Sequence, residues 1–129
     1  MMVRRFCMFL LLSLAAVPVS CSGGRSGKVT EQMEPGRELE MEVGSYYFEP
    51  DRIVVSGKGT IVIVMTNVSG DKHNLTVENP AGGIVGGVDV GAGATETLRV
   101  DLPEPGTYPF YCDIPFHPRM GMTGEIVVQ

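Results

Sequence analysis

The chain has 129 residues, enough for one domain with tails, and it is rich in Gly (17) and Pro (9) but contains no Trp. Charged residues make up 19% of it, and this composition is typical of a turn-rich all-β domain rather than a helical one. The formal net charge of −5 argues against nucleic acid as a partner.

Residues 1–21 have the pattern of a secretory signal, in which Arg4 and Arg5 precede an apolar run too short to span a bilayer. We therefore expect an exported protein of the cell envelope, periplasmic or on the outer face of a membrane. The ending VPVSC resembles a bacterial lipobox, which predicts a lipid anchor on Cys21. Cleavage near Ser20 without lipidation is the alternative. Removing this segment takes away two arginines and no acids, which leaves 8 basic and 15 acidic residues and a formal charge of −7.

The rest of the chain divides into a linker and one domain. Residues 22–36 are rich in Ser, Gly, Glu and Pro without periodicity, which predicts a flexible linker. The domain is predicted to span 37–129, with short strands at 39–43, 46–48 leading into 49–55, 60–67, 73–79, 95–102, 107–112 and 122–128. The apolar strand 60–67 is expected to be central, and the glycine-rich segment 80–94 to be a loop or irregular strand. Short strands at this spacing predict an all-β Greek-key sandwich or barrel.

One proline departs from this strand pattern. Pro109 lies within the strand at 107–112, and proline cannot donate a hydrogen bond to a ladder. That part of the strand is therefore expected to lie at an edge or a bulge.

Residues 111–122, YCDIPFHPRMGM, gather soft and borderline metal ligands in one loop. Cys7 leaves with the signal and Cys21 is predicted to be acylated, so Cys112 is expected to be the free thiol of the mature protein. His117 and two methionines follow Cys112, and His73 begins an earlier strand. Each residue alone has an ordinary structural interpretation. Two imidazoles, one thiolate and one weak thioether together describe a mononuclear blue-copper site.

Two long stretches resemble the cupredoxin family of plastocyanin, azurin and amicyanin. They are FEPDRIVVSGKGTIVIVMTNVSGDKHNLTV and GTYPFYCDIPFHPRMGMTGEIVV, within a likeness that covers about residues 39–129. The resemblance implies one copper ion held by His73, Cys112, His117 and a methionine. Met122 is the predicted axial ligand because it fits the Gly-Met-x-Gly pattern that opens the closing strand, whereas Met120 is the alternative. Asn74 is expected to tie the first histidine segment to the cysteine loop.

The resemblance implies a one-electron carrier rather than an enzyme, since protein atoms would fill every copper position. We expect a monomer that exchanges electrons with a redox protein such as a cytochrome or a copper oxidase. Pro115, Phe116 and Pro118 would surround His117 with apolar surface for docking, unless Phe116 packs into the core. The alternatives are a copper-binding protein for sequestration, delivery or sensing, and a metal-free adhesion module.

Overall fold

The computed structural model describes residues 29–129, so the predicted signal peptide and Cys21 lie outside the described residues. Within the described part, the chain forms β-strands and one short 3₁₀ helix, Pro118–Met120. The strands are β1 (Thr30–Met33), β2 (Glu38–Gly44), β3 (Tyr47–Glu49), β4 (Arg52–Val55), β5 (Gly59–Asn67), β6 (His73–Glu78), β7 (Ile84–Val90), β8 (Thr95–Leu102), β9 (Gly106–Tyr111) and β10 (Thr123–Val128).

The strands form two sheets. One has six strands in the order β1-β4-β10-β9-β6-β7, and the other has four in the order β3-β2-β5-β8. The predicted all-β, two-sheet fold is thus confirmed. Among residues 29–129, no helix has the length and apolar character needed to cross a membrane.

The core lies between the two sheets and follows from the alternation of apolar residues along the strands. In β5, Ile61, Ile63 and Met65 are buried, and the residues between them are partly exposed. Each such side chain stabilises the fold by about 1.5–3 kcal/mol when it is fully removed from water. β5 pairs with β2 on one side and β8 on the other, so its predicted central position is confirmed.

Strand β1 lies within the segment 22–36 that the composition predicted to be a linker. It pairs in parallel with β4, with Thr30 opposite Arg52, and the Val29 carbonyl accepts hydrogen bonds from the backbone of residues 51 and 52. β4 also pairs with β10, with Arg52 opposite Glu125. β1 therefore begins at the end of the sheet where β10 begins. The strand is held by backbone pairing, and its mostly exposed side chains left no apolar pattern in the sequence.

The glycine-rich segment 80–94 contains β7, an edge strand paired with β6, and the register shifts between Val77 and Glu78. This segment was predicted to be a loop or an irregular strand, and the structure shows an irregular strand. Pro109 lies opposite Glu125 of β10, whereas the pairing of β9 with β6 stops at Phe110. Pro109 thus lies on a part of β9 that has no β6 partner, so its missing N–H leaves no β6 carbonyl without a donor. This agrees with the edge position predicted for that part of the strand.

Candidate metal centre

The fold brings the start of β6 and the end of β9 to the same end of the six-stranded sheet. The two strands are antiparallel neighbours, with Thr76 opposite Tyr111. His73, the first residue of β6, therefore lies beside the segment that follows β9 and begins with Cys112. Sequence-distant residues meet here because of strand pairing, and both side chains are buried.

The segment from Cys112 to Met122 is a closed loop that holds His117 between its two ends. The Cys112 N–H donates to the Met122 carbonyl at 3.2 Å, and the Met122 N–H donates to the His117 carbonyl at 3.2 Å. The 3₁₀ helix that follows His117 ends at Gly121, where φ is 96°. Glycine adopts this left-handed conformation without the steric cost of a Cβ, so Gly121 allows the sharp return into β10.

Three potential ligand atoms converge at this end of the sandwich. One donor atom each from His73, Cys112 and His117 lies within 4.8 Å of the others. The two Nδ1 atoms are 3.2 Å apart, and the Cys112 Sγ is 3.5 Å from the His117 Nδ1. Imidazole nitrogens and a thiolate are the donors that copper prefers, so the residues fit a copper ion chemically.

The two candidate methionines occupy different environments. Met122 is fully buried with Cys112 in the core cluster, directly before β10. Met120 lies in the 3₁₀ helix with 59% of its surface exposed. The burial of Met122 favours it over Met120 as a partner of the three converging donors.

Burial also affects the charge state of the first histidine. Removal from water lowers the pKa of His73, and the nearby His117 lowers it further. The neutral form of the imidazole is therefore favoured. Because only the neutral ring has a lone pair for a metal, this environment prepares His73 for ligation.

The predicted tie between the first histidine segment and the cysteine loop is confirmed. Asn74 donates through its side-chain amide to the Asp113 carboxylate, and the Asp113 N–H donates back to the Asn74 Oδ1 at 2.8 Å. The Thr76 hydroxyl donates to the other Asp113 oxygen at 3.3 Å. Asp113 was not singled out from the sequence, although it follows Cys112 directly, because its contact with Thr76 depends on the register of β6 and β9.

The side of the site at His117 reaches the surface. Phe116 is 73% exposed, so it does not pack into the core. The Tyr46 ring contacts the His117 ring edge-on at a centroid distance of 5.2 Å. Tyr46 and Phe116 both have positive φ angles, 67° and 72°, which are uncommon for aromatic residues. The turn that carries Tyr46 gave no sequence signal of this contact.

A two-sheet β fold that holds a buried thiol, two imidazoles and a buried methionine at one end is the architecture of a cupredoxin, a blue copper protein. A family profile described as "Copper binding proteins, plastocyanin/azurin family" matches residues 36–129. The chain therefore belongs to the plastocyanin/azurin family of copper binding proteins. Its cofactor is copper.

Individual relatives agree with this family. Plastocyanin of Daucus carota is 36% identical over 100 residues, which cover 70% of this chain and 96% of that protein. The chloroplastic minor isoform of plastocyanin from Arabidopsis thaliana is 36% identical over 110 residues and 73% of this chain. The chain spans 61% of that isoform and 54% of the major one. Among solved structures, reduced auracyanin from Roseiflexus castenholzii has a TM-score of 0.66 at 24% identity, covering 74% of this chain and 98% of that one.

Proposed function

We propose that this protein is a type 1 copper electron carrier in which His73, Cys112, His117 and Met122 hold one ion. The observation that carries the proposal is the convergence of His73, Cys112 and His117 within 4.8 Å, on two segments that strand pairing brings together. Met122 belongs to the same closed loop and is buried against the core. When bound, copper would supply a one-electron couple between Cu(I) and Cu(II).

The chain contributes a rigid set of donors. His73 is fixed at the start of a buried strand, and the cysteine loop is fixed by its own backbone hydrogen bonds and by the Asn74–Asp113 pair. A donor set that is already in place needs little rearrangement when the charge of the ion changes. Such rigidity favours fast electron transfer and, with four protein donors, leaves no position for a substrate, so we propose no enzymatic activity.

The half-buried His117 is the proposed route for electrons to leave or enter. Its ring contacts the exposed Tyr46, and the exposed Phe116 and Met120 belong to the same loop as His117. A small apolar surface of this kind suits brief docking to a redox protein, such as a cytochrome or a copper oxidase. Copper delivery or sequestration is the competing function, and the burial of His73 and Cys112 argues against easy release of the ion.

Repeated redox cycling of the copper-loaded protein tests this function. We expect ascorbate to bleach an intense visible absorption and ferricyanide to restore it over many cycles, because the donors serve both oxidation states. Copper content is measured after each cycle in the presence of a Cu(I) chelator. Transfer of most of the copper to the chelator on first reduction would contradict a carrier and indicate a delivery protein.

The choice between the two methionines has its own expected result. Met122→Leu should raise the reduction potential and alter the visible spectrum, because loss of the thioether destabilises Cu(II) more than Cu(I). Met120→Leu is the matched control and should change neither property, since Met120 is exposed. Redox titration and absorption spectroscopy of both variants provide the measurement. A shift confined to Met120→Leu would assign the axial position to Met120 instead.

We further propose that the protein is exported and anchored to the membrane by a lipid on Cys21. The support is the signal pattern of residues 1–21 and the small, polar character of the residues that follow. In bacterial cells, Cys21→Ser should move the protein from the membrane fraction to the soluble fraction, and mass spectrometry of the unaltered protein should show a diacylglycerol-modified Cys21. An unmodified N-terminus in the membrane-free fraction would refute the anchor.

A further inference from the structure

The ring of His73 has one nitrogen facing the candidate metal centre and one facing away from it. Nδ1 lies 3.2 Å from the Nδ1 of His117, among the converging donors. Nε2 lies 2.9 Å from the hydroxyl oxygen of Ser69, in the turn between β5 and β6. A neutral imidazole carries one proton, so the partner of Nε2 decides whether Nδ1 is left with a free lone pair.

The neighbours of Ser69 determine the direction of its hydrogen bond with His73. The Ser69 hydroxyl lies 2.8 Å from the Asn67 Oδ1 and 3.1 Å from the Asp71 carbonyl oxygen, and both of these atoms only accept hydrogen bonds. The single hydroxyl proton is therefore directed to one of these acceptors. The Asp71 N–H donates to the hydroxyl oxygen at 3.3 Å, so the hydroxyl already acts as an acceptor on that side. An acceptor role toward His73 as well places the ring proton on Nε2 and leaves Nδ1 bare, facing the His117 Nδ1.

The buried side chain of Asn67 fixes this arrangement in turn. Its amide nitrogen lies 2.7 Å from the Asp71 carbonyl and 3.1 Å from each of the carbonyls of Val90 and Gly91. These three acceptors require the NH₂ group on that side, which leaves Oδ1 facing Ser69. The Ser69 N–H also donates to Oδ1, at 2.9 Å. Asn67 thereby joins the end of β5 to the end of β7 and sets the orientation of the Ser69 hydroxyl.

We propose that Ser69, oriented by Asn67, is a positioning residue that holds His73 in the Nε2–H tautomer and so presents Nδ1 as a metal donor. The role of Nδ1 as a donor rests on the proposed function, whereas the tautomer is a property of the metal-free protein. Partners of this kind on the far nitrogen of a ligating histidine typically change metal affinity by about 10–100-fold when removed.

The first test uses nitrogen-15 NMR of the metal-free protein at pH 8 to read the protonation of the two ring nitrogens of His73. We expect pure Nε2–H in the unaltered protein and a mixture of tautomers in Ser69→Ala. Ser69→Thr keeps a hydroxyl and should restore the single tautomer. Ser56→Ala, an exposed serine beyond the far end of β4, is the matched control and should leave the tautomer unchanged.

The second test measures copper affinity in the same variants. We expect Ser69→Ala to bind roughly 10–100-fold more weakly than the unaltered protein, with recovery in Ser69→Thr. A proton on Nδ1 in the unaltered protein would overturn the proposal without any variant. So would a Ser69→Ala protein that melts at a lower temperature but keeps the Nε2–H tautomer, because Ser69 would then only stabilise the turn.

Failure of the proposed function would be recognised separately. If the unaltered protein shows the Nε2–H tautomer and loses it in Ser69→Ala, the positioning role of Ser69 stands on the NMR result. If that same protein fails to develop a visible absorption with Cu(II), the ligand assignment fails. If the absorption develops but Ser69→Ala keeps the tautomer, the carrier function stands and the positioning role is refuted.

Discussion

Replacing Cys112 with serine is expected to abolish the intense visible absorption of the copper-loaded protein. The absorption of a blue copper site arises from charge transfer between a thiolate sulfur and Cu(II). Cys112 is a buried free cysteine, and its Sγ lies 3.5 Å from the His117 Nδ1. A serine hydroxyl is close in size but is a hard, protonated donor, so binding of Cu(II) should weaken along with the loss of colour.

Absorption spectra of Cys112→Ser and of the unaltered protein, titrated with Cu(II), provide this measurement. Cys21→Ser is the matched control, because it removes a different cysteine and should leave the spectrum unchanged. Thermal unfolding of the two metal-free variants checks that each protein is folded. A Cys112→Ser protein that keeps the full absorption would refute the assignment of the sulfur ligand.

Replacing Gly124 with alanine is expected to destabilise the fold by about 3 kcal/mol or more, at the upper end of overpacking effects. An ideal Cβ at this position would lie 2.2 Å from the Phe110 ring and 2.5 Å from the Asp51 carbonyl oxygen. Gly124 lies opposite Phe110 in the β9–β10 pair, and the Phe110 ring is buried. Neither the ring nor the backbone carbonyl can move away without disturbing the sheet beside Met122.

Denaturant unfolding of the metal-free protein gives the free-energy change for Gly124→Ala. Gly57→Ala is the control, since the nearest atom to its added Cβ would be 3.9 Å away and its backbone does not need a positive φ. That variant should unfold within about 0.5 kcal/mol of the unaltered protein. Equal stabilities for the two variants would show that the sheet adjusts around residue 124.

The strands that bury side chains were the predictable part of the fold. β5 and β8 have apolar residues at alternate positions because they face the core, and this alternation is visible in the sequence. β1 was not predicted, since its exposed side chains carry no such pattern and its stability comes from backbone hydrogen bonds to a neighbour. Pairing with a distant strand leaves little trace in a single sequence when no side chain is buried.

The candidate ligands were predictable from residue type and from resemblance, but their surroundings were not. A set of two histidines and one cysteine has few common roles other than metal binding. The structure brings His73, Cys112 and His117 together. The contact of Ser69 with His73 depends on the conformation of an irregular turn. The contact of Tyr46 with His117 depends on a positive φ in the turn between β2 and β3. Contacts that arise from turn geometry have no periodicity from which they can be predicted.

The parallel direction of β1 determines where the polypeptide enters the domain. Thr30 is level with Glu125, so the chain preceding Val29 leaves from the end of the sandwich that holds the candidate ligands, two strands away from β10. Seven residues lie between Cys21 and Val29, and the eight Cα-to-Cα steps from Cys21 to Val29 span at most about 29 Å when fully extended. With acyl chains on Cys21, the His117 edge would remain within a short distance of the lipid headgroups. Under the proposed anchor on Cys21, the protein would meet its redox partners at the surface of that bilayer.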